Sequence, residues 1–169
     1  MSLSASILPE FDMEMAKTRT TLERVPVEKF DWKPHEKSFS CMEMANHLAR
    51  LPGWGAATLT TDSMDLDPEK GEYAPPPPVT TPEEVLAVFD QSVAEFRSTL
   101  EGSADADLMK PWTLKHGEQE LFTMPRIACI RGMILNHMIH HRGQLTIYLR
   151  LNDLPIPALY GPSADEEGM

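Results

Sequence analysis

Apolar residues recur at steps of three and four along most of the chain, the period that gathers them on one face of an α-helix. Leu8, Phe11, Met15, Thr18 and Leu22 form such a stripe and predict a first helix from Leu3 to Glu23, ended by Val25-Pro26. A second helix is predicted from Cys41 to about Thr60, with Met44, His47, Leu48 and Leu51 on its apolar face. Ser40 and Glu43 have the spacing of a capping box, in which each side chain satisfies the other's backbone N–H. Pro52-Gly53 and Gly55 fall inside this pattern and predict a kink or break near residue 52. Thr81-Pro82-Glu83-Glu84 opens a third helix, with Val85, Val88, Phe89, Val93, Phe96 and Leu100 facing inward and Gly102 as its stop. The fourth pattern runs from Arg126 to Asn152 without a proline, and its stripe is Ile127, Ile130, Ile134, His137, Leu145 and Tyr148.

The connections carry different signals. Pro26 to Phe39 has few helix-forming cues, and its Trp32 is expected to fill core space. Asp62 to Val79 is expected to be loop, with Pro75 to Pro78 as a stiff polyproline II surface spacer. Ala104 to Met124 is a polar connection in which Thr113 to Leu121 has the pattern of a small hairpin turning at His116-Gly117. No other strand pattern emerges. The expected fold is therefore all-α, a four-helix bundle forming one domain over residues 1–169.

Composition narrows the function classes. The chain has 169 residues, enough for a sizeable core. Its formal net charge is −11, which argues against binding a phosphate backbone. No stretch of eighteen apolar residues exists to span a membrane. The first residues lack a basic segment followed by a long apolar one, so a cytoplasmic location is expected. Cys41 and Cys129 make no disulfide framework and are expected to be reduced, buried residues rather than nucleophiles.

The chemistry is concentrated in the histidines. His137 and His141 are four apart on a predicted helix, so both rings reach one point. His47 faces inward from a different helix. Three neutral imidazoles converging from two helices bind a divalent transition metal and leave coordination positions open. The alternative is a set of core histidines satisfied by polar neighbours. His140 points about 100° from His141 and cannot share the metal, and His35 and His116 fall in polar loops. A zincin would need Glu where Met138 stands. A di-iron bundle would need Glu-x-x-His motifs, whereas Glu43 precedes His47 by four. Zinc, nickel and iron all suit three nitrogen ligands. Glu43 is the nearest carboxylate and a weak candidate base. Gln144, three residues after His141, is placed to donate a hydrogen bond to an imidazole nitrogen. Arg142 is expected to face away from the metal and to make an ion pair with a neighbouring helix or the tail. Gly143 is expected to permit close helix approach.

Taken together, His47 followed by Trp54, the run His137-Met138-Ile139-His140-His141-Arg142-Gly143-Gln144, and the tail from Tyr148 through Pro157 into Tyr160-Gly161-Pro162-Ser163-Ala164-Asp165 resemble the DinB superfamily. The resemblance implies an up-down-down-up bundle with a long crossover after helix one and a three-histidine metal site. It also implies pairing into homodimers and, from characterised members, metal-dependent transfer or isomerisation using a low-molecular-weight thiol. Two functions follow as expectations. One is a metal-dependent enzyme acting on a small-molecule substrate, by thiol transfer or by hydrolysis. The other is a non-catalytic, stress-associated bundle whose metal is structural or absent.

Overall fold

The computed structural model describes residues 2–67, 69 and 76–167. Helix α1 spans Leu3–Leu22 and α2 spans Cys41–Thr60, joined by a connection containing a 3-10 turn at Val27–Lys29. α2 opens on its capping box, with the Glu43 N–H donating to Ser40 Oγ at 3.1 Å and the Ser40 N–H to Glu43 Oε2 at 2.7 Å. It runs on through Pro52 without the expected break, and Pro52 itself is buried, so packing holds the helix across the lost hydrogen bond. Gly55 marks a close helix approach instead. A Cβ there would lie 2.5 Å from the Phe96 ring of α3, which spans Pro82–Glu101 behind the Thr81 capping box. A single turn, α4, follows at Asp105–Leu108.

The all-α expectation needs correction, because a small sheet is present. The hairpin forms, and is longer than its pattern: β2, Pro111–His116, pairs antiparallel with β3, Gln119–Pro125, and Gly117 takes φ +61° in the turn. A third strand, β1, Ser63–Asp65, lies in what reads as loop and pairs parallel with β2, Ser63 opposite Thr113. Met64, Trp112, Leu114 and Cys129 form a small core beneath this sheet. Pro76 to Pro78 lie in neither helix nor strand, while Pro75 falls outside the described residues.

The fourth predicted helix is three segments end to end. α5, Arg126–Cys129, passes into seven residues of π-helix, Ile130–Asn136, and then into α6, His137–Leu151. α1 packs on α3 and α6, and α2 packs on the same two helices, so α1 and α2 stand diagonally opposite. The connection from residue 23 to residue 40 therefore crosses the molecule. Phe11, Leu48, Phe96, Ile130 and Leu145 meet in the main core, and half-buried Trp32 packs edge-on against Tyr148.

On α6 the buried face is Met138, Arg142, Leu145, Tyr148 and Leu149; Leu145 and Tyr148 belong to the predicted stripe, while His137 and His141 lie half-buried at its edge. Arg142, 1% exposed, bonds Glu14 Oε2 at 2.5 Å, the Glu14 carbonyl at 2.9 Å and Thr18 Oγ1 at 3.2 Å. Tyr160 OH lies 2.6 Å from the guanidinium and donates to Glu14 at 2.8 Å, tying the tail to α1 and α6. The expected ion pair thus forms with a neighbouring helix, and the tail joins it through the Tyr160 hydroxyl. Gly143, by contrast, is exposed, and a Cβ on it would touch nothing within 4 Å, so it permits no close helix approach. Arg142→Ala should lower stability in urea unfolding by about 3–5 kcal/mol, because Glu14 would stay buried without its partner. Gly143→Ala should raise stability by about 1 kcal/mol in the same assay.

Candidate metal centre

The rings of His47, His137 and His141 come together between α2 and α6. His47 Nε2 lies 3.2 Å from His137 Nε2, which lies 2.8 Å from His141 Nε2. All three side chains are half-buried, and their ligand atoms fall within 4.8 Å of one another. Phe39, from the loop before α2, stands beside the cluster, its ring centroid 5.8 Å from that of His47 and 6.3 Å from that of His141.

The backbone helps to orient the rings. The His137 backbone N–H donates to the Ile134 carbonyl at the end of the π-helical segment, not to the Met133 carbonyl that a continuous α-helix would use. The Met133 oxygen instead faces His137 Nδ1 at 3.2 Å. A carbonyl can only accept, so the His137 proton sits on Nδ1 and the Nε2 lone pair faces the cluster. His141 Nδ1 lies 2.7 Å from Gln144 Oε1, which fixes its tautomer in the same way. Gln144 is thus an acceptor, where its place in the sequence had suggested a donor.

Two Nε2 lone pairs facing each other at 2.8 Å repel unless something positive lies between them. The donor set fits a divalent metal. Metal–imidazole bonds of about 2.0–2.1 Å place nitrogens sharing one tetrahedral ion roughly 3.3 Å apart. The observed spacings, 3.2 and 2.8 Å, fall about 0.1 and 0.5 Å short of that separation, so the rings need only a small outward shift to share an ion.

Burial also keeps the rings neutral. It lowers the pKa of His47 to about 4, with the neighbouring charges of His141 and His137 adding to the effect. Burial likewise lowers His137 and His141, opposed by the hydrogen bonds they donate to Met133 and Gln144.

The other candidates are placed elsewhere. His140 is exposed, its ring against the outer side of His141, and His35 and His116 are exposed as expected. The Glu43 carboxylate is held by the Ser40 N–H and by Lys33 at 3.1 Å, and these contacts keep its pKa below the ordinary value. Cys41 and Cys129 are free and buried, and burial raises both thiol pKa values. Periodicity did not single out Asn46, Arg50 or Phe39. With Trp54, Pro76 and Pro78 they line a cleft of about 290 Å³ that opens on His47. The spacing of residues 43, 46, 47, 50 and 54 on one helix face is the signal that could have grouped Asn46, Arg50 and Trp54 with His47.

The sequence model of the DinB superfamily matches residues 10–145. The chain belongs to the DinB superfamily. Its structure is similar to a DinB-like protein of Bacillus cereus ATCC 10987, with a TM-score of 0.67 at 19% identity over 91% of this chain and 95% of that one. A DinB-like protein of Bacillus subtilis gives 0.68 at 16% identity over 97% and 99%. Among curated proteins, an uncharacterized Bacillus subtilis protein, YrdA, is 42% identical over 33 residues, a fifth of the length of each chain. At these identities the structural likeness speaks to the DinB fold alone. Among the described residues, no helix is long and apolar enough to cross a membrane.

The depressed His47 pKa has a sign that can be tested. Between about pH 4 and 6.5 the unfolded chain binds a proton at residue 47 that the folded chain refuses, so stability rises with pH there. Metal-stripped protein should lose thermal stability as pH falls from 6.5 towards 4. His47→Gln should show a shallower fall across this window when Tm is followed by circular dichroism. An unchanged slope would show that residue 47 titrates normally.

Proposed function

We propose that this chain is a metal-dependent enzyme in which His47, His137 and His141 hold one divalent transition metal through Nε2. The observation that carries this reading is the pair of inward lone pairs, oriented by Met133 and Gln144, whose repulsion a bound cation relieves while burial disfavours a proton in its place. Zinc, nickel and iron all suit this donor set. Three neutral imidazoles leave coordination positions to be filled from the cleft beside His47, which favours a catalytic over a structural metal. When bound, the metal supplies Lewis acidity that lowers the pKa of a coordinated thiol or water.

The residues around the site favour transfer to a thiol over hydrolysis. Hydrolysis requires a base to manage the proton of the attacking water, and Glu43 is a poor one. Its carboxylate is committed to the helix cap and to Lys33, which hold it ionised and weakly basic. A thiol needs less help, since coordination alone deprotonates it. Phe39 and Trp54 supply an apolar wall that limits water around the reacting group, while Gln144 and Met133 hold the imidazoles in one orientation. The proposal is therefore a small-molecule, thiol-dependent transferase. We further propose that the chain is a single domain working as a cytoplasmic homodimer, a state that light scattering of the purified protein would establish.

Protein purified without a metal-binding tag should contain about one equivalent of divalent metal by elemental analysis. His137→Ala should lose that metal while keeping its helical circular dichroism. Full metal retention in this variant would remove the proposal.

A further inference from the structure

Glu43, His47, Arg50 and Trp54 follow one another along α2 at steps of four, three and four. One helix face therefore carries the imidazole and, a turn further on, a guanidinium and an indole. Arg50 lines the cleft that opens on His47, and with Trp54 and Pro76 it also lines an adjoining hollow that reaches Val88 and Ser92. Its position is fixed from behind. Arg50 Nη2 donates to the Pro77 carbonyl at 2.8 Å. The segment bearing Pro77 is itself pinned by Asn46, which accepts from the Val79 N–H at 3.0 Å and donates to the Val79 carbonyl at 3.1 Å. Among the described residues this is the hydrogen bond Arg50 makes, and a guanidinium has five N–H donors.

Charge points the same way. The chain carries −11 overall, yet among the described residues lining the cleft one carboxylate, Glu43, stands with one guanidinium, Arg50. Glu43 is paired with Lys33, so it does not neutralise Arg50. Three neutral imidazoles would also leave the charge of a bound metal uncompensated. An apolar hollow with a held guanidinium at one side and a cation site at the other matches a particular kind of ligand.

We propose that the cleft binds a small substrate bearing a carboxylate, with Arg50 as the residue that selects it. The carboxylate accepts from the free N–H groups of Arg50, whose planar fork suits that geometry better than an ammonium would. The apolar body lies against Phe39, Trp54, Pro76 and Pro78, and the opposite end reaches the metal cluster at His47. This inference rests on the metal reading above and adds the substrate class.

The test uses cobalt-loaded full-length protein and two thiol probes of matched length, mercaptopropionate and the neutral mercaptopropanol, titrated by the thiolate-to-cobalt absorption band. Wild type should bind the acid at least about tenfold more tightly, the scale of a hydrogen bond to a charged group. Arg50→Gln should abolish that preference and leave mercaptopropanol binding unchanged, and Arg50→Lys should retain part of it. Equal affinities in wild type, or a preference that survives in Arg50→Gln, would overturn the assignment. If Arg50→Gln does not fold, an undiminished preference in Arg50→Lys together with no loss of preference at high salt would do the same. Failure of wild type to take up cobalt would remove the metal reading and this inference together. Cobalt uptake without acid preference would remove this inference alone.

Discussion

A guanidinium shut away from water is tolerable only where its charge is matched and its donors are used, and Arg142 meets both conditions through Glu14, Thr18 and Tyr160. The requirement sets the rotation of α6, because the arginine has to face α1. His141 precedes Arg142 by one residue and is turned about 100° away, and His137 sits one turn earlier on the same side as His141. Anchoring one side chain against α1 thus aims two imidazoles at α2, where His47 waits. The tail takes part in the same arrangement, since Tyr160 closes the polar cluster while Lys17 lies 3.7 Å above its ring.

The histidine cluster is organised by where protons are put. Each of two rings has its Nδ1–H committed outward, one to a backbone carbonyl and one to a glutamine oxygen, which turns the basic nitrogens inward. Burial opposes protonating any of the three. A site assembled so that protons are unwelcome, with lone pairs in contact, is preorganised for a cation of higher charge.

The long helices and the convergence of His47, His137 and His141 were legible in the sequence, because a 3.6-residue period and two capping boxes are local signals. What was missed is non-local. Three-residue β1 has too few positions to show alternation, and it is a strand only because β2, fifty residues later, supplies its partner. The hairpin was readable from Gly117 and its flanking alternation. Arg142 could be foreseen as an ion-pairing residue, but not as the centre of the buried face, because composition assigns such positions to apolar side chains. Gly143 misled in the opposite sense: a glycine beside ligand residues reads as a helix contact, and here it faces open space. The cleft residues Asn46 and Arg50 are ordinary surface residues until the segment carrying Pro77 and Val79 folds over them.

The π-helical segment, Ile130–Asn136, gives this helix an unusual arithmetic. A π-turn stores one more residue per turn than an α-turn does. Rewinding the same residues as regular α would give the stored residue a step of its own and swing everything downstream by about 100°. Arg142 would then leave Glu14, and the imidazoles would leave His47, although every side chain named here was still present. For this helix residue number is itself a functional variable, and the spacing between Arg126 and His137 matters as much as what occupies it.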